Sequence, residues 1–279
     1  MADARHIYLV EADIPTKYPN LALMKLSTKH RLQGDTIEYF KGIPTLDHHP
    51  QPNIIYISTL FTYYAEPTVQ CIRYYQKHFP NADIQVGGIF ATLMPNLIEK
   101  ETGIKPFVGY SHELDQLPPD YSLLPEFVKF TPKIKRFAKY SFLSTTRGCP
   151  RACGFCVVNK LEPQCHVIDG WQNAVDLKRR YMMFLDSNLT AFPFDHFKSV
   201  MEFIISHKRT AFFNGGFDVR LLTDDHIDLM AKCRWMTNGL RLAFDHGEED
   251  GHIQRAIEKL FKGVVFILRS PYAESLRQR

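Results

Sequence analysis

Two rhythms of apolar and polar residues take turns along this chain. His6 to Val10 is a short apolar run closed by the polar Glu11-Ala12-Asp13, which predicts a strand feeding a loop. Leu21, Met24, Lys25, Thr28 and Leu32 step by threes and fours, the spacing of one helix face, and Gly34 stops that helix. Thr36 to Phe40 alternates as a strand, and Asn53 to Ser58 reads as a buried one. Pro67 to Phe79 returns to helical spacing through Val69, Ile72, Arg73 and Gln76; Asp83 to Val86 is then a strand closed by Gly87-Gly88.

The rhythm lapses in the middle of the chain. Gly109 to Asp115 shows no period, and Pro118, Pro119 and Pro125 follow. These features predict a linker over residues 113–139 between domains at 1–112 and 140–279. Lys133, Lys135, Arg136 and Lys139 form a basic patch there; aromatic residues are sparse around it, so a solvated face is expected.

Alternation resumes with a strand over Lys139 to Thr145 and a helix over Trp171 to Lys178. Tyr181 to Leu185 is a buried strand ending in Asp186-Ser187-Asn188. Phe197, Val200, Met201 and Ile204 stripe a helix from Phe194 to His207. Ala211 to Phe213 leads to a polar loop carrying Asp218 and Arg220, and Thr223 caps the next helix, with Asp224 and Asp225 in its first turn. Gly239 to Asp245 and Gly263 to Leu268 are strands flanking a helix from Glu248 to Phe261. Strands alternating with helices predict an α/β protein with parallel sheets, in which ligands bind beyond the carboxyl ends of the strands.

Composition narrows the class. An apolar content of 45% and a charged content of 23% are ordinary for a globular chain of 279 residues, and the net charge of +4 permits an anionic partner without arguing for one. No run of about 18 apolar residues is present and the N-terminus lacks a signal-peptide layout, so no membrane partner and a cytoplasmic location are expected. Six cysteines in this length do not make a disulfide framework. Cys71 and Cys233 stand alone in helical segments, as buried small hydrophobes do.

Three of the other cysteines carry the chemistry. Cys149, Cys153 and Cys156 follow a C-x3-C-x2-C spacing, and Gly148, Pro150 and Gly154 keep the segment a loop. Such a loop can aim three thiolates at one inorganic core, and Arg147 and Arg151 favour the thiolate form. Three ligands on a four-iron cluster leave one iron open. A zinc site is the alternative that spacing leaves, with Cys165 and His166 as a second ligand pair. Cys165 could also close the open iron, serve as a free thiol, or stand in a plain loop, which is the reading expected for it.

The cysteine loop resembles that of the radical SAM superfamily. There, three cysteines hold a [4Fe–4S] cluster, and S-adenosylmethionine chelates the fourth iron through its amino and carboxylate groups. By that resemblance Cys149, Cys153 and Cys156 are the metal ligands and Phe155 flanks the adenine. Asp186 and Asn188 would hold the SAM amino group, Asp218 and Arg220 would stand near its carboxylate or the substrate, and Asp245 would approach the ribose. No catalytic residue is assigned. The implied fold of residues 140–279 is a partial (β/α) barrel with functional residues at the carboxyl rim. Five strands are countable against the family's six, so the barrel is expected to be shortened at its C-terminus and open, closed by a partner, or truncated; a homodimer is one expectation.

Residues 1–112 are similar to the Rossmann-like, cobalamin-binding-type domain of relatives in that superfamily, through Asn20 to Met24 and Gly87 to Pro95. The D-x-H-x-x-G motif is incomplete: Asp47-His48-His49 begins it, but Pro52 stands where glycine belongs, so bound cobalamin is not expected. The implied activity is reductive cleavage of SAM to a 5′-deoxyadenosyl radical, acting on an unidentified substrate, with a flavodoxin- or ferredoxin-type protein as one-electron reductant. The other class of function open to the sequence is a non-catalytic iron–sulfur or SAM-binding module.

Overall fold

A computed structural model describes residues 4–44, 49–151, 153–237, 239–243, 245 and 247–260 and the backbone of 267–269. The chain divides into two compact units, Met1–Ala138 and Lys139–Arg279.

The first unit is built on four parallel strands, β1 His6–Glu11, β2 Thr36–Lys41, β3 Ile54–Thr59 and β4 Asp83–Gly88, in the order β2-β1-β3-β4. β1 is central, and Ile7 to Val10 are wholly buried, as the near-continuous apolar run requires of a strand covered on both faces. Helices α1 Leu21–Leu32, α2 Ala65–His78, α3 Ile89–Leu93 and α4 Pro95–Thr102 connect and flank the strands. Asn20 caps α1 by accepting the Leu23 N–H at 3.2 Å. Gly88 is required by a close approach: its φ is +110° and a Cβ there would lie 2.2 Å from the Thr59 carbonyl oxygen.

Residues 113–138, all but the last of the expected linker, are ordered parts of this unit rather than a free connector. They form α5 His112–Asp115, α6 Leu124–Phe130 and 3-10 turns at Tyr121–Leu123 and Pro132–Lys139. The segment is tied to α1: Asp120 Oδ2 accepts from Ser27 Oγ at 2.7 Å and Arg31 Nε at 2.8 Å, and the Pro118 carbonyl accepts from Thr28 Oγ1 at 2.6 Å. Phe127 is buried and stands edge-on to Tyr39, with ring centroids 4.5 Å apart. The four basic residues of its last part are exposed, as the pattern predicts.

The second unit carries β5 Tyr140–Leu143, β6 Thr146–Arg147, α7 Val158–Leu161, β7 His166–Val167, β8 Tyr181–Phe184, α8 Phe194–Ser206, β9 Thr210–Phe213, β10 Phe217–Asp218, α9 Asp224–Lys232, β11 Arg234–Trp235, β12 Arg241–Ala243, α10 Asp250–Leu260 and β13 Ile267–Arg269. The strands form a parallel sheet of order β11-β9-β8-β5, a second parallel sheet of order β10-β12-β13, and a short antiparallel ribbon of β6 and β7. The apolar stripe of α8 lies in the core with Phe184, Phe213 and Phe217. Phe184 and Phe213 stack with centroids 4.3 Å apart. Thr223 caps α9, and His226 completes the capping box.

The helix expected over 171–178 is only a 3-10 turn, Trp171–Ala174. Asp176 ends it: its carboxylate accepts the Lys178 N–H at 3.0 Å and its carbonyl accepts from Arg179 N, an alternative to helical bonding. Most of the strand expected over Gly263 to Leu268 lies outside the described residues.

Candidate cysteine-loop site

β5 and β8 run side by side with Leu143 opposite Phe184, so the residues that leave both strands emerge together. Asp186 follows β8, and Thr145 and Thr146 follow β5. Asp186 Oδ1 accepts four hydrogen bonds: from the backbone N–H and hydroxyl of Thr145, both at 2.8 Å, and from those of Thr146, both at 2.7 Å. All three residues are buried, and Asp186 Oδ2 is buried without a hydrogen bond. Burial pushes the carboxyl's pKa up against the pull of those four bonds. His196 Nε2 lies 3.1 Å from Thr145 Oγ1. The Thr145 proton is committed to Asp186, so His196 Nε2 is the donor. Burial lowers the His196 pKa, with the Asp186 charge acting the other way.

A second carboxylate holds the next step of the chain. Glu162 Oε2 accepts the Gly148 N–H at 2.8 Å and the Ser187 hydroxyl at 3.1 Å, while Oε1 pairs with Arg147 Nη1 at 2.5 Å. The β6–β7 ribbon, with Arg147 opposite His166, continues so that Gly148 meets Cys165. Gly148 has φ +82°, and a Cβ there would lie 2.7 Å from the Gln164 carbonyl oxygen and 3.0 Å from Cys165 Sγ. Cys165 is thus an exposed thiol beside the loop. Burial first, then the Cys149 and Glu162 charges, push its pKa up.

A chain of alternating charges lies along the other side of the loop. Arg151 Nε stands 2.9 Å from Asp218 Oδ2, and Arg220 Nε donates to Asp218 Oδ1 at 2.8 Å. Arg220 Nη1 is 3.0 Å from the fully buried Glu249 Oε1, an ion pair not aligned as a hydrogen bond. Burial alone would raise the Asp218 pKa, but Arg220 and then Arg151 outweigh it and hold it down. The Arg220 pKa is raised by Asp218 first, against burial, with Glu249 adding to it.

Cys149, Cys153 and Cys156 are free and partly exposed, and Cys156 N bonds to the Cys153 carbonyl at 3.0 Å in a tight turn. Phe155 in that turn is 69% exposed. Among the described residues no three His, Cys, Asp or Glu side chains are gathered closely enough to hold a metal ion. The donor set still fits a thiolate-ligated cluster in its chemistry: three accessible soft ligands on one loop with guanidinium charge beside them.

The predicted residues therefore meet in part. Asp186 supports the loop through Thr145 and Thr146. Asn188 approaches Cys149 Sγ at 3.5 Å. Asp218 and Arg220 are bonded to each other, and Asp245 N–H bonds to Glu249 Oε2. Glu162, Thr145, Thr146, Ser187 and His196 have no motif to announce them, since they act through contacts 14 to 51 residues apart in the chain. Asp47 and His48 lie outside the described residues, and His49 Nδ1 sits 2.7 Å from Glu38 Oε2. At the carboxyl end of β1, Glu11 is closed in by Asn20 Nδ2 at 2.8 Å and the Tyr39 hydroxyl at 2.6 Å.

The chain matches no family model and no curated protein.

Proposed function

We propose that this protein is a radical SAM enzyme. On this reading residues 140–279 are a partial (β/α) barrel and the first unit is a Rossmann-like domain with a structural or substrate-recognition role. The observation that carries the reading is the loop: three free cysteines at C-x3-C-x2-C lie beyond the carboxyl end of a parallel strand, and two carboxylates brace residues 145–148 that lead into them. Chemistry in parallel α/β folds gathers at that end. Cys149, Cys153 and Cys156 hold the cluster; bound there with SAM, it supplies one-electron cleavage of the sulfonium.

The chain's own residues then have separate tasks. Asp186 and Glu162 fix the backbone of residues 145–148 ahead of the first ligand. Arg151 and Arg220 place positive charge along the loop, and Asp218 keeps both guanidinium groups in position. Phe155 offers an exposed ring for an adenine to cover. Cobalamin has no part in this reading. The closed network at Glu11 supports a structural role for that end of the first sheet. A flavodoxin- or ferredoxin-type reductant and a homodimer complete the proposal.

Anaerobic reconstitution with ferrous iron and sulfide is expected to give about four irons per chain and broad visible absorbance. Cys149→Ala, Cys153→Ala and Cys156→Ala each lose most of the iron, while Cys71→Ala and Cys233→Ala keep it. The latter two thiols are pushed up to about 12 by burial and stay protonated in the core. Full iron in all three loop variants overturns the proposal.

A further inference from the structure

Asn188 makes contacts with a defined direction. Its neighbour Thr190 accepts the Asp218 backbone N–H on Oγ1 at 3.2 Å. The single Thr190 hydroxyl proton is therefore free for Asn188 Oδ1, 2.8 Å away. With Oδ1 fixed as the acceptor, the amide can turn only its N–H side elsewhere. That side, Nδ2, faces Cys149 Sγ at 3.5 Å, within range for a hydrogen bond to sulfur. Asn188 and Thr190 are both buried, 6% and 5% exposed, so water does not compete for these contacts. Asp218, which anchors the relay, is itself pinned by Arg151 and Arg220.

We infer that Asn188 is a positioning residue for Cys149: its amide, oriented by Thr190, holds the sulfur and tunes the electron demand of whatever the thiolate ligates. This role is distinct from holding an amino group: it uses the N–H side of the amide, while Oδ1 takes the Thr190 proton on one of its two lone pairs. The redox consequence rests on the iron–sulfur reading of the loop. When a cluster gains one electron from an external reductant, negative charge builds on its ligand sulfurs. A donor aimed at one of them stabilises the reduced form, and hydrogen bonds to sulfur are among the groups that set cluster potentials. Removing the donor makes reduction harder.

The test compares wild type, N188L, T190V and T190S after anaerobic reconstitution, by iron content and by redox titration with dithionite followed in the visible. Wild type, T190V and T190S are expected to carry equal iron. N188L and T190V shift to more negative potential, and T190S, which keeps the hydroxyl, returns to the wild-type value. T190V leaves the amide in place, so its comparison with T190S decides the matter even if N188L does not fold. Wild-type potentials in T190V and in any folded N188L overturn the inference while leaving the cluster reading intact. A wild-type protein that takes up no iron overturns the cluster reading first and this inference with it.

Discussion

Replacing Asp186 with Ala removes the acceptor of four hydrogen bonds at once. Two of the donors are hydroxyls, which can rotate toward other partners. The other two are the backbone N–H groups of Thr145 and Thr146, buried at 0% and 1% exposure, which cannot. A buried donor left without a partner costs about 1–3 kcal/mol, so the pair costs about 2–6 kcal/mol. Against a typical domain stability of about 5–15 kcal/mol, that loss is large. The chain can avoid it by letting the loop swing into water, at the expense of the geometry ahead of Cys149. Either way, Asp186→Ala should lower the urea midpoint of the second unit, reduce the iron retained after reconstitution, or both. Asp186→Asn keeps an oxygen for all four donors. Its new N–H2 stands where Oδ2 has no partner, so stability still falls, but the Thr145 and Thr146 N–H groups stay paired and iron is expected to be retained. Wild-type midpoint and wild-type iron in Asp186→Ala would refute the bracing role.

Gly148→Ala forces a side chain onto a residue at φ +82° with the Gln164 carbonyl 2.7 Å from the new Cβ; strain of about 1–2 kcal/mol plus this clash should part the β6–β7 ribbon and cut iron retention. Asp35 gives a pH signature in the first unit. Burial would raise its pKa, but Arg5 and His30 hold it at about 2 against an ordinary 3.8. A depressed carboxyl stabilises the fold above the unfolded value and loses that contribution as pH falls through the folded one. Wild type should therefore lose on the order of 1 kcal/mol between pH 4 and 2, discounted for the solvent that reaches Arg5, while Asp35→Asn shows a flatter urea midpoint over that range. Hydroxocobalamin added in excess should not co-elute with the protein; stoichiometric retention of a corrin would show that the first unit binds it.

Local periodicity carried much of the fold. The three-four spacing of Leu21 to Leu32 marks a helix with those bounds, and the apolar runs of β1, β3 and β8 mark buried parallel strands. The segment 113–139 reads as a linker because its prolines break the period, yet prolines also begin short helices, and the bonds from Asp120 and Pro118 to α1 span about 90 residues. The turn at Asp176 shows the same limit, since a side chain that competes for the backbone leaves the apolar spacing unchanged. At the site, the cysteine loop and the polar residues that end β8 are legible in the sequence as residue types. The partners of Asp186 are not, because they depend on the register of β5 against β8. Glu162 is likewise a lone acid in the sequence and becomes a brace only once the ribbon folds Gly148 back toward it.

The most direct measurement is cleavage of SAM by the reconstituted protein under anaerobic conditions with dithionite, quantified as 5′-deoxyadenosine by liquid chromatography, with Cys153→Ala in parallel. A radical SAM enzyme forms 5′-deoxyadenosine in the wild type and none above background in the variant. A wild-type protein that carries about four irons per chain, binds SAM and forms no 5′-deoxyadenosine would contradict catalysis and leave a non-catalytic iron–sulfur module in its place.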